Sequence, residues 1–146
     1  MERKTAMISV LYISTSAINA ALQKTVVSEI VAHAHERNPA ICVTGALLFT
    51  GTHFAQVLEG KTHVVEDLIA KMRQDPRHFD LQVVNRSPLP ARRFANWSMA
   101  YFGPSQFVSR HVTRLLNNPS PVEHRRAAEW LEDLIGEFAR DFGPAR

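Results

Sequence analysis

The chain has 146 residues, 45% apolar and 21% charged, which fits one globular domain with a small extension and excludes a disordered or fibrous chain. A net charge of +3 spread among interspersed acids gives no clustered nucleic-acid footprint. The single cysteine, Cys42, excludes an intrachain disulfide and a cysteine-rich metal site, and a reduced cytoplasmic setting fits it.

The start, "MERK" then "TAMISVLYI", is too short, too β-branched and too poor in small residues for a signal peptide. No apolar run reaches bilayer-spanning length. Residues 6–14 read as a strand with Ile8, Val10 and Tyr12 on one face. Residues 20–37 read as a helix, with Val26, Val27, Ile30 and Ala34 at helical spacing. Asn38-Pro39 ends it, because asparagine tolerates a left-handed cap and a residue before proline resists helix. "AICVTGALLF" and "HFAQVLEG" form a hairpin around "TGT". A second helix follows with Val65, Leu68, Ile69 and Met72 on one stripe, stopped near Asp75-Pro76. "FDLQVVNRSP" is a further strand, and "NWSMAYF" a fifth.

The order β-α-β-β-α-β plus a fifth strand predicts an α+β, ferredoxin-like sandwich. Past Gly103-Pro104 only helix is expected, over 105–117 and 121–142. The domain division is therefore 1–103 for the sandwich and 104–146 for a C-terminal helical pair. That pair either covers the second face of the sheet or meets a partner.

Seven histidines show no metal-ligand spacing; His33 and His35, two apart on a helix, point apart. G-x-S-x-G, the phosphate loop and G-x-G-x-x-G are all missing. Cys42, placed in a strand, reads as a small buried residue. Three polar residues inside apolar stretches carry more information. Gln56 shares a strand face with Phe54 and Leu58, where an unsatisfied amide costs about 1–3 kcal/mol. Tyr12 lies mid-strand and Asn38 at a helix end. Their elements converge between sheet and helices, so a phenol and two amides line an apolar slit flanked by Ile30 and Met72. Such a slit suits a flat heteroaromatic ring with a donor and acceptor edge.

"NPAICVTGALLF", "FAQVLEG", "DPRH" and "RRFANWSM", in this order, closely resemble the BLUF domain, the blue-light sensor that uses FAD. The resemblance runs from about Ser9 to Met99. It implies that FAD lies between the two helices, with Tyr12 as electron and proton donor and Gln56 bridging it to the ring. It implies that Asn38 recognises the pyrimidine edge, and that Trp97 and Met99 exchange positions on signalling. Lys71 and Arg77 then supply cations for the flavin carbonyl or phosphates. Arg37 stands where the family often has Asn or His.

On this reading the chain is a short photoreceptor without enzymatic activity. Output passes through a further protein or a second copy of the chain, with no membrane or nucleic acid involved. Two other readings stay open: a flavin-free interaction module, and a small acylphosphatase-like enzyme. The latter needs a phosphate loop after the first strand, and "ISTSAIN" lacks its glycines and arginine.

Overall fold

A computed structural model describes residues 6–94, 106–117 and 121–142. The order is β1 (Met7–Ser16), a 3₁₀ turn (Ala20–Leu22), α1 (Gln23–Ala40), β2 (Thr44–Phe49) and β3 (His53–Lys61). There follow α2 (Thr62–Met72), β4 (His78–Pro88), α3 (Gln106–Asn117) and α4 (Pro121–Phe142). The strands form one antiparallel sheet in the order β2-β3-β1-β4, which is the expected α+β core. The predicted fifth strand, Trp97, Met99 and the Gly103-Pro104 boundary lie outside the described residues.

Alternation along β1 sends Val10 and Tyr12 to one face of the sheet and Leu11 and Ile13 to the other, all buried. The first face meets the α2 stripe of Val65, Leu68 and Ile69. Beside it, Val27 and Ala34 of α1 pack on Leu47, Phe49 and Phe54. The second face, with Leu11, Leu48 and Val57, is covered by Val112 and Leu115 of α3 and Ala128, Leu131 and Ile135 of α4. The C-terminal helices therefore close the sheet's second face. At the β2–β3 hairpin Phe49 pairs with Phe54, and Gly51 takes a positive φ of 97° in the turn.

The end of α1 differs from expectation. Asn38 is not a left-handed cap: the helix continues through Pro39 to Ala40. The left-handed residue is Cys42, with φ 57°. Val43 N–H donates to Asn38 O (3.0 Å) and Cys42 N–H to Pro39 O (3.2 Å), the paired bonds of a Schellman motif. Cys42 is thus an exposed turn residue before β2, not a buried strand residue. Asn38 moves into the last helical turn and is fully buried.

Candidate cofactor-binding site

Pairing register brings the central residues together. Tyr12 on β1 faces Gln56 on β3, which faces Leu47 on β2, forming one row across the sheet. Leu47, Gln56 and Tyr12 all point toward α1 and α2. Tyr12 Oη–H donates to Gln56 Oε1, and the same hydroxyl lies 3.5 Å from Met72 Sδ at the end of α2. Both Tyr12 and Gln56 are buried, so the hydrogen bond is shielded from water.

Above this row, between α1 and the end of α2, opens a narrow cavity that is partly open to solvent. Helix α1 contributes Ile30, His33, Ala34 and Arg37, spaced i, i+3, i+4 and i+7 along one face. Leu47, Phe54 and Met72 complete the apolar lining; Asp75, Arg77 and His78 form the rim after α2.

Burial pushes the Tyr12 phenol well above its ordinary value; the charge of Arg37 opposes this and that of Asp75 adds to it. The phenol therefore keeps its proton at neutral pH. Burial also lowers the Arg37 guanidinium from its usual value, with the Tyr12 interaction opposing. Arg37 Nε–H donates to Asn38 Oδ1 (3.0 Å), which fixes the amide orientation. At the rim Arg77 grips Asp75 through Nε (3.0 Å to Oδ1) and Nη2 (2.5 Å to Oδ2). The Arg77 hydrogen bonds hold the Asp75 carboxyl below its ordinary range, against its partial burial. His78 Nε2–H donates to Met72 O (2.5 Å), since a carbonyl only accepts, and Nδ1 meets Ser14 Oγ (2.6 Å). His78 thereby ties β1, the end of α2 and β4 together.

Of the residues expected at the site, Tyr12, Ile30, Gln56, Met72 and Arg77 line the cavity. Asn38 lies buried behind Arg37 rather than in the wall, and Lys71 is exposed on the last turn of α2. His33, Ala34, Leu47, Phe54, Asp75 and His78 line it too without having been singled out in the sequence, and Arg37 does so from the position where the family often has Asn or His. The signal for the α1 group was its spacing from Ile30, and for Leu47 and Phe54 the hairpin register around Gln56. Apolar side chains on both sides and a phenol–amide pair at the floor fit a flat heteroaromatic ring with donors and acceptors on one edge. Among the described residues no cluster of His, Cys, Asp and Glu suits a metal ion, and no helix is long and apolar enough to cross a membrane.

Comparison with known proteins agrees with this geometry. The family model described as "BLUF: Sensors of blue-light using FAD" matches residues 7–100. The blue light- and temperature-regulated antirepressor BluF of Escherichia coli (strain K12) is 41% identical over 76 residues, covering 52% of this chain and 19% of that protein. Photoactivated adenylate cyclase subunit beta of Euglena gracilis is 33% identical over 115 residues, covering 79% of this chain and 11% of that one. The chain thus spans a fifth or less of the length of these two relatives. Among solved structures, the dark state of BlrB, a BLUF protein, aligns with TM-score 0.65 at 27% identity, over 85% of this chain and 96% of that one. The BlsA ground state aligns with TM-score 0.68 at 20% identity, over 96% and 89% of the two chains, a likeness of fold alone. The matched unit is a sensor domain and not a catalytic one. From row, cavity and family match together, the chain belongs to the BLUF family, the blue-light sensors that use FAD.

Proposed function

We propose that the chain converts blue-light absorption into a rearrangement of the Tyr12–Gln56 pair, passed on to its C-terminal helices. The observation that carries this is the buried hydrogen bond from Tyr12 Oη to Gln56 Oε1 at the cavity floor. Ile30, Ala34, Leu47 and Met72 would hold the flat ring, and Arg37, oriented by its bond to Asn38, would set its polar edge.

Bound FAD supplies visible absorption and an excited ring that takes up an electron. Tyr12, at the floor, is the donor in this scheme and holds its proton on the bond to Gln56. When Tyr12 is oxidised, that bond is the exit for the Oη proton. Gln56 presents acceptor and donor ends of nearly equal shape, so rotation or tautomerisation exchanges its hydrogen bonds without a clash. When proton and electron return to Tyr12, the amide keeps its new arrangement.

Residues 1–103 then form the flavin-binding unit, and 104–146 an extension that packs on the sheet and carries output to a further protein or a second copy. Trp97 and Met99, three and five residues past Phe94, are the signalling pair in this scheme. The test is an absorption spectrum of the purified protein before and after blue light. A flavin spectrum that shifts to the red and recovers in darkness is expected, and Tyr12→Phe should abolish the shift. A protein that cannot be loaded with FAD would overturn the reading and leave the flavin-free interaction module.

A further inference from the structure

Strand β3 carries two buried polar side chains that point to opposite sides of the sheet. Gln56 faces the cavity; Glu59, three residues on, faces the layer of α3 and α4 and has no solvent exposure. A buried carboxylate is costly unless both oxygens are satisfied. Here Thr44 Oγ1–H (2.8 Å) and Phe94 N–H (3.2 Å) donate to Oε1, and Arg93 N–H (2.8 Å) donates to Oε2.

Arg92 fixes the sense of this network. Its Nη1 donates to Thr44 Oγ1 (2.8 Å) and to Glu59 O (3.0 Å), and its Nη2 donates to Cys42 O (2.7 Å). A guanidinium only donates, so the Thr44 hydroxyl accepts from Arg92 and spends its own proton on Glu59. Three donors therefore converge on Glu59. A glutamine there would turn its NH₂ against an N–H or an O–H.

Glu59 holds the main chain of residues 93 and 94, not their side chains. Those side chains then run on into the far layer. Phe94 is buried among Leu131 and Ile135 and their neighbours. The Arg93 guanidinium reaches Asp133 Oδ1 (3.4 Å) and lies over Gly136, where a Cβ would stand 2.6 Å from its Nη2. One carboxylate thus joins the strand that carries Gln56 to α4 and to the chain that continues toward Trp97.

We propose that Glu59 is a positioning residue that transmits displacement of β3 at Gln56 across the sheet to α4. This rests on the light-driven rearrangement of Gln56 proposed above. The test uses the full chain loaded with FAD, measuring the red shift and the amide hydrogen exchange of residues 131–137 in darkness and in light. Glu59→Gln should keep the red shift and lose the light-minus-dark difference in exchange. Arg93→Ala, which removes the polar link to α4 but keeps Phe94 in place and the N–H on Glu59, should diminish it. A merely structural role would alter exchange equally in both conditions and leave the difference intact.

A full light-induced difference in Glu59→Gln overturns the proposal, and so does one in Arg93→Ala if Glu59→Gln does not fold. A wild-type protein with no red shift overturns the reading of Gln56 itself, and this coupling with it.

Discussion

Cys42 shows how a single backbone angle can be costly in a chain of L-residues. Its φ of 57° closes the Schellman motif that ends α1, a conformation costing about 1–2 kcal/mol for any residue with a Cβ. Cys42→Gly removes that cost and gives back part of it as unfolded-chain entropy, about 0.4–1 kcal/mol. A net gain of about 0.5–1 kcal/mol is expected from denaturant unfolding; an unchanged or lowered midpoint would count against it. The Arg92 contact to this residue is to its carbonyl and survives the change. At this scale the sequence was legible for Tyr12 and Gln56, because a polar side chain in an apolar strand announces itself. Asn38 has the look of a cap because Asn-Pro resembles a helix end, but the helix runs on to Ala40 and the left-handed residue is Cys42. Glu59 leaves no such signal, because two of its three donors are main-chain N–H groups about 34 residues away, which no local pattern encodes.

Among the elements, α4 is held to β4 by a polar contact whose strength depends on pH. Asn85 Nδ2–H donates to Glu132 Oε2 (2.8 Å). Burial raises the Glu132 carboxyl above its ordinary value of 4.5, and the Asn85 bond only partly offsets this. The folded state therefore binds the proton more tightly than the unfolded chain. Its stabilising effect is full below pH 4.5 and is lost as pH rises through the higher folded value. Glu132→Gln keeps an acceptor for Asn85 and removes the titration. Its melting temperature should exceed that of the wild type at neutral pH, the gap closing in acid; a constant gap would mean the carboxyl does not titrate in this window. Element boundaries were largely legible, since the α2 and α4 stripes and the alternation of β1 and β3 are strong periodic signals. The cavity face of α1 was harder to read. His33 and Arg37 stand among its apolar positions and make the wall of a site resemble a solvated surface.

For the whole molecule, the layer formed by α3 and α4 decides what can be removed. Leu11, Ile13, Leu48 and Val57 would face water without it. A chain ending at residue 103 is expected to aggregate or lose cooperative unfolding, and a soluble fragment melting like the full protein would contradict this. More mildly, Leu131→Ala should cost about 2–5 kcal/mol in denaturant unfolding. Which face these helices take could not be read from their own pattern, because an amphipathic stripe states that it is buried and not against what. The two-sided sheet also constrains evolution in a way that substitutions do not reveal. Along β3, Phe54, Gln56 and Leu58 face the side of α1 and α2, and Ala55, Val57 and Glu59 the side of α3 and α4. Deleting one residue between Gln56 and Glu59 would exchange the sides of everything on one flank of the gap. Gln56 and Glu59 could not both keep their partners afterwards. Family members should therefore vary in letters along this strand far more readily than in length, and insertions should gather at the Gly51 turn.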